Sequence, residues 1–256
     1  MKTDFNNLIP CISVANMRES DRKTIGSVTP GRTLMYRAAM GVFRAADWPG
    51  ETVIAVGGGN NGGDGYALAC ILRESGHACR IVALSERLTP DSVHFAARAK
   101  SLGVPAAPYA PGAFSGCDTV VDCLLGTGFA GELRPPYAAA IEEMNAAGAR
   151  IISVDIPSGM NGDTGEVSSA AVRADLTVTI AFVKNGLVAP GTGAHVGRLV
   201  CADIGIVLDR EENFICPANE WSEALTARGN VFPAPPWLEL VPIDVRETAY
   251  DAEAAP

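Results

Sequence analysis

Short apolar runs rich in Val, Ile and Ala recur between residues 52 and 204 and alternate with segments of helical period. The pattern predicts strands over 52–57, 79–84, 119–125, 150–156, 176–183 and 198–204, with a further short strand over 104–109. Helices are predicted between them over 63–75, 90–102 and 135–147, and ahead of them over 13–26 and 31–47. In the 31–47 segment Leu34, Met35, Ala38, Val42 and Ala45 fall near i, i+3/i+4 spacing, one apolar stripe. Pro30-Gly31 separates the two leading helices. Apolar strands alternating with helices form a parallel sheet covered on both faces, and crossovers of this length are right-handed. The expected fold class is α/β, a Rossmann-like three-layer α/β/α sandwich with a mostly parallel central sheet. Its ligands belong at the carboxyl ends of the strands. The strands at 176–183 and 198–204 lie closer together, and an antiparallel edge is expected there. Beyond residue 206 the periodicity weakens, and the prolines of VFPAPPWLELVP (231–242) exclude a regular helix. The chain thus divides into a domain over 1–206 and a C-terminal extension over 207–256. The end of the extension, DAEAAP, reads as loose, and its Trp221 and Trp237 read as cover for a core or an interface.

Charge and composition narrow the function classes. A formal net charge of −9 leaves no basic patch to neutralise a nucleic-acid backbone. A small phosphorylated ligand remains open, because backbone N–H groups bind phosphate without lysines. The cysteines include no C-x-x-C pair, and His77, His94 and His195 lack metal-ligand spacing. Buried reduced thiols are expected, and a zinc site is not. MKTDFNNLIPCISV holds too short an apolar stretch for a secretory signal, and no run approaches the ~18 residues that span a membrane. The cytoplasm is the expected compartment.

Three strand ends concentrate glycine and polar residues. The first is GGGNNGGDG (57–65), a glycine-rich turn after a strand with two amides and a carboxylate placed in the turn. The second is VVDCLLGTG, where Asp122 lies inside an apolar strand and Gly126-Thr127-Gly128 follow. The third is VDIPSG, with Asp155 at a strand end and Ser158-Gly159 turning away. In a parallel sheet the three ends share one edge, so Asp64, Asp122 and Asp155 are expected to face one crevice with Ser158 among them. A carboxylate in an apolar strand needs hydrogen bonds, a partner or a cation; Asp122 reads equally as a structural cap on loop N–H groups. Oxygens of Asn61, Asp122 and Ser158, if they converge, suit a hard cation. Lys184 reads as a turn lysine in solvent, or as the one cation placed to neutralise the cluster. Gly57-x-Gly59-x-x-Gly62 matches the dinucleotide fingerprint, with Glu86 as the ribose-binding acid. The asparagines and the Gly-Asp pair are not what close helix–strand packing requires. A nicotinamide-dependent oxidoreductase therefore stays as the alternative, although no Tyr-x-x-x-Lys pair accompanies it; a non-catalytic nucleotide-binding or interaction module is the other.

GGGNNGGDG, VVDCLLGTGFAGELRPPY, SVDIPSGMNGDTGEV, AVRADLTVTIAFVKNGL and LVCADIGI, in this order, resemble the NAD(P)HX epimerase family, the YjeF N-terminal domain. The ESDRKTI and TLMYRAA helices are similar to it too, so the resemblance covers roughly 13–206. It implies epimerisation of hydrated NADH and NADPH (NADHX, NADPHX) at C6 of the nicotinamide ring, in a stand-alone form that works with a separate dehydratase. It implies a bound K⁺ on Asn61, Asp122 and Ser158. Substrate contacts carry over to Asn60, Asn61, Gly62, Gly63 and Asp64, to Gly126, Thr127, Gly128, Phe129, Ala130, Gly131 and Glu132, and to Asp155. Asp155 is the expected acid/base, with Asp64 as its competitor. Arg134 reads as a phosphate contact or a solvated arginine. No nucleic acid or membrane partner is implied, and a homodimer is compatible with the family.

Overall fold

The computed structural model describes residues 8–216, 231–235, 240–248 and 250. In chain order the strands are β1 (Ile9–Ile12), β2 (Glu51–Val56), β3 (Ala78–Ala83), β4 (Ala106–Pro108), β5 (Thr119–Cys123), β6 (Arg150–Val154), β7 (Leu176–Ile180), β8 (Val183–Lys184), β9 (Arg198–Asp203), β10 (Asn213–Cys216), β11 (Val231–Pro233) and β12 (Leu240–Asp244). The helices are α1 (Val14–Ser27), α2 (Gly31–Ala45), α3 (Asn60–Glu74), α4 (Pro90–Ser101), α5 (Pro135–Ala146) and the single turn α6 (Gly193–Val196). Eight strands make one sheet in the order β12-β9-β7-β6-β5-β2-β3-β4, and every neighbouring pair in it is parallel. The side chains of β2 alternate between two cores. Ile54 and Val56 face the side holding Leu68, Leu72 and Phe95 of α3 and α4, while Val53 and Ala55 face Ile141 and Met144 of α5.

The antiparallel edge expected at 176–183 and 198–204 is absent: β7 and β9 are parallel, with Leu176 opposite Arg198 and Ile180 opposite Ala202. The connection is no hairpin. It carries β8, a 3-10 turn (Asn185–Val188) and α6, enough chain to return to the starting edge of the sheet and repeat the direction. From β2 the chain builds β3 and β4 on one side, then moves to β5 and beyond on the other. That reversal opens a crevice between the carboxyl ends of β2 and β5, the place where such sheets bind ligands.

The extension is woven into both sheets. β12 lies beside β9 in the central sheet. β10 pairs antiparallel with β1 (Ile9 opposite Ile215), and β1 pairs parallel with β8 (Ile12 opposite Lys184), within a second sheet ordered β11-β10-β1-β8. Trp221, Trp237 and residues 251–256 lie outside the described residues.

Residues 207–212 run along α1, which buries Asn16, Ser20 and Thr24 one turn apart. Thr24 Oγ1 accepts from the Val207 N–H at 3.0 Å, and Ser20 Oγ accepts from the Asp209 N–H at 2.9 Å. Asn16 Nδ2 donates to the Arg210 carbonyl at 2.8 Å. Glu212 adds an anchor at the helix start, accepting from Ser13 N–H at 2.6 Å and Ser13 Oγ at 3.0 Å. A polar face buried on a helix thus reads the backbone of the extension. Ser20→Ala, which strands the Asp209 N–H, is expected to cost about 1–2 kcal/mol, visible as a lower urea midpoint with unchanged slope.

Candidate active site

The glycine-rich block is mostly helix. The turn is confined to Gly57–Gly59, and α3 begins at Asn60 with Gly59 as its N-cap. The amides and the carboxylate expected in a turn therefore occupy the first two turns of a helix. Close packing is the reason. A Cβ on Gly62 would stand 2.0 Å from the Gly57 carbonyl oxygen, and one on Gly65 would stand 2.8 Å from Val56 Cγ1 and 2.9 Å from Cys123 Cβ. These glycines let α3 lie against β2 and β5, the close helix–strand packing that the sequence did not suggest here. Gly63 turns toward Met35 and Ser92. Helical spacing puts Asn60, Asn61 and Asp64 on one face, and all three line a cavity of about 960 Å³.

Asp122 does not face that cavity. It is wholly buried at the end of β5, and its two oxygens take four hydrogen bonds. Oδ1 accepts from Leu124 N–H at 3.2 Å and Ser158 Oγ at 2.5 Å; Oδ2 accepts from Ser153 Oγ at 3.0 Å and Ser158 N–H at 2.8 Å. Burial raises its pKa while these bonds pull it back down. The carboxylate ties the ends of β5 and β6 together beneath the crevice. Ser158 Oγ also accepts from the Leu125 N–H at 2.9 Å, and Asn61 Nδ2 donates to the Leu125 carbonyl at 2.8 Å. Asn61, Asp122 and Ser158 therefore do cluster, around Leu125. Asn61 Oδ1 is buried and has no hydrogen-bond donor among the described residues. An orphaned oxygen beside a hydroxyl, a carbonyl and one carboxylate fits a hard cation. Among the described residues no group of three or more His, Cys, Asp or Glu side chains gathers for another metal.

Asp155 and Asp64 do share the cavity wall. Asp155 follows β6 with φ of 70°, left-handed and costly for a residue with a Cβ. Lys184 Nζ donates to its Oδ1 at 2.5 Å, and also to the Ile180 carbonyl at 2.6 Å and Thr179 Oγ1 at 3.1 Å. Lys184 is 0% exposed, so it is not the solvated turn lysine. β8 and its pairing with β1 carry it inward. Asp64 is half-buried, and its pKa is pushed well up by burial first, then by Asp155 and Asp21, with Lys184 opposing. Asp21 of α1 lines the same cavity, and burial and Asp155 raise its pKa as well. Three carboxylates thus line one cavity with a single buried lysine that bonds Asp155, and burial and mutual repulsion raise the pKa of Asp64 and Asp21.

The loop after β5 forms another wall through Gly126, Thr127, Gly128, Phe129, Ala130 and Glu132, with Arg18 and Arg134 beside it. Arg18 donates to the Thr127 carbonyl. Gly62, Gly63 and Gly131 of the expected substrate contacts are not part of the cavity wall, and neither is Glu86. The family described as YjeF-related protein N-terminus matches residues 31–186, well over half of the chain.

The chain belongs to the YjeF-related N-terminal family.

Its relatives include the NAD(P)H-hydrate epimerase of Limosilactobacillus fermentum, 37% identical over 199 residues, covering 75% of this chain and 95% of that one. The bifunctional NAD(P)H-hydrate repair enzyme Nnr of Pyrobaculum aerophilum is 38% identical over 213 residues, covering 78% of this chain but 42% of that one. A crystal structure of the yeast protein ynu0 has the same fold, with a TM-score of 0.63, 23% identity and coverage of 70% of this chain and 83% of that one. Within this YjeF-related fold, Arg18 and Asp21 are the site residues that sequence reasoning did not select, while Lys184 is the cation of the cluster, the second of its two sequence readings. An Asp in ESDRKTI reads as an ordinary solvated helix charge. Only the packing of α1 over the crevice distinguishes it.

Proposed function

We propose that this chain is an NAD(P)H-hydrate epimerase, interconverting the R and S forms of hydrated NADH and NADPH at C6 of the nicotinamide ring. The observation that carries the reading is the meeting of Asp64 and Asp155 at one cavity on the switch point of the sheet. Its volume of about 960 Å³ suits a ligand of nucleotide size. The names of relatives matched over nearly their whole length support it.

The substrate carries a hydroxyl on C6 next to the ring nitrogen. A neutral carboxyl gives its proton to that hydroxyl; the C6–O bond breaks, water leaves, and the nitrogen lone pair forms the C6–N double bond. The planar C6 has no handedness. Water adds to either face and returns its proton to the carboxylate. Asp155 is the assigned acid/base, carrying the proton on Oδ2 at the cavity side while Oδ1 stays bonded to Lys184. Asp64, whose pKa burial and the neighbouring carboxylates raise, is the competing donor. The loop over residues 126–132 and the arginines 18 and 134 would receive the phosphates. K⁺ on Asn61, Ser158 and Asp122 would supply a fixed positive charge that draws the three loops together. Thermal melts in KCl against matched choline chloride test it: a higher midpoint in KCl, lost in Asn61→Leu, is the expected outcome.

Incubating the protein with pure S- or R-NADHX and following the opposite epimer by chromatography tests the function. Hydride transfer instead would restore the oxidoreductase reading, and binding without exchange the non-catalytic one. Buried thiols such as Cys70 and Cys123 support a reducing, cytoplasmic setting, and a dehydratase on another chain is the proposed consumer of one epimer. Among the described residues no helix is long and apolar enough to cross a membrane.

The raised pKa of Asp64 also predicts a stability effect. Below about pH 4 the group is protonated in both folded and unfolded chains and costs nothing. As pH rises from there toward the folded value, only the unfolded chain ionises, and the folded state loses ground. Asp64→Asn is therefore expected to melt a few degrees above wild type at pH 8, with the difference closing toward pH 3. An equal difference at both pH values would show that ionisation is not the cause.

A further inference from the structure

Lys184 has three N–H groups and three buried acceptors: Asp155 Oδ1, the Ile180 carbonyl and Thr179 Oγ1. Thr179 Oγ1 gives its own proton to the Phe182 carbonyl at 3.3 Å, which leaves its lone pairs for the lysine. No N–H of the ammonium is left over to bind a substrate. The Ile180 N–H, at 3.4 Å, also approaches Asp155 Oδ1. The other oxygen, Oδ2, lies by the cavity-lining Gly126, where an added Cβ would stand 3.3 Å from it. One oxygen of Asp155 is held from behind and the other is offered at the cavity wall.

We propose that Lys184 is a positioning residue for the epimerisation, clamping Oδ1 of Asp155 so that Oδ2 alone is presented to C6 of the substrate. The proposal rests on the epimerase reading and deepens it. A carboxylate free to swing about χ2 offers its oxygens at varying positions, and a misplacement of about 1 Å costs roughly 10²-fold in rate. The clamp also gives the second sheet a role in the chemistry. Lys184 is set by the pairing of Ile12 in β1 with β8, and β1 is itself held by β10 of the C-terminal extension. The described residues of the extension thus reach the active centre from outside the cavity wall.

The test is Lys184→Met in the full chain, with NADHX epimer exchange as the assay. The expected result is a kcat about 10²-fold below wild type with KM changed by less than about threefold. In an Asp155→Asn background, adding Lys184→Met is expected to leave the residual rate within about threefold, because the lysine acts through the carboxylate. A wild-type kcat in Lys184→Met overturns the proposal. So does a further loss in the double variant as large as that of the single. Should Lys184→Met alone fail to fold, the double variant, which leaves no unpaired carboxylate, still decides against Asp155→Asn by the same comparison. A wild-type protein that exchanges no epimers overturns the function and this proposal together. Exchange by wild type and Lys184→Met at equal kcat overturns the proposal alone.

Discussion

Asp155→Asn is expected to remain folded and to lose epimer exchange, with kcat falling by roughly 10²-fold or more. The backbone tolerates the change, since Asn is among the few residues with a Cβ that enter the left-handed region readily and Asp155 sits at φ of 70°. The amide oxygen can still accept from Lys184. What disappears is the group that gives and takes the proton at C6. The variant also leaves the buried ammonium without its counter-charge, so a lower melting temperature is expected alongside the lost rate. Epimer exchange measured by chromatography, with a melt on the same sample, separates the two effects. Exchange at the wild-type rate would remove Asp155 from the chemistry and move the role to Asp64.

Asp122→Ala is expected to be the most damaging single substitution for stability. It strands the N–H groups of Leu124 and Ser158 and the Ser153 hydroxyl at once, and leaves the Ser158 hydroxyl only the Leu125 carbonyl at 3.3 Å. Each buried donor left without an acceptor costs about 1–3 kcal/mol, and a whole domain is stable by only about 5–15 kcal/mol. The variant should be largely unfolded, or should unfold at a far lower urea concentration. Asp122→Asn should fall between, because its NH₂ faces donors where the carboxylate offered acceptors. A wild-type urea midpoint for Asp122→Ala would show that the network is replaceable by water. The outcome also bears on the proposed cation. A residue whose four hydrogen-bonding positions are already filled contributes charge to that site more readily than a free lone pair.

The three strand ends were legible in the sequence because each combines an apolar run with glycines and a polar residue directly after it. Asp64 and Asp155 were legible for that reason, and the geometry places both at one cavity. Asp122 was flagged correctly as a costly buried carboxylate, but the choice between cap and crevice group depended on Ser153 and Ser158, which a linear pattern cannot aim. Lys184 carried two readings, a turn lysine because KNG is turn chemistry and a cation for the cluster; the choice between them follows from a two-residue strand pairing with Ile12, far off in the chain. The helical start at Asn60 was hidden because glycines lower helix propensity, and only the approach of α3 to β2 and β5 makes them necessary.

The sequence by itself determined the alternation of strand and helix, hence the parallel sheet, its ligand-bearing edge and the family. Those properties are periodic and local, so each segment carries its own share of the signal. Tertiary structure alone decided that β9 runs parallel to β7, that the extension docks on Asn16, Ser20 and Thr24, and that Asp21 and Lys184 join Asp64 and Asp155. Each of these depends on a contact between segments distant in the chain. Burial and hydrogen bonding there are set by which surfaces meet, and no local period records that.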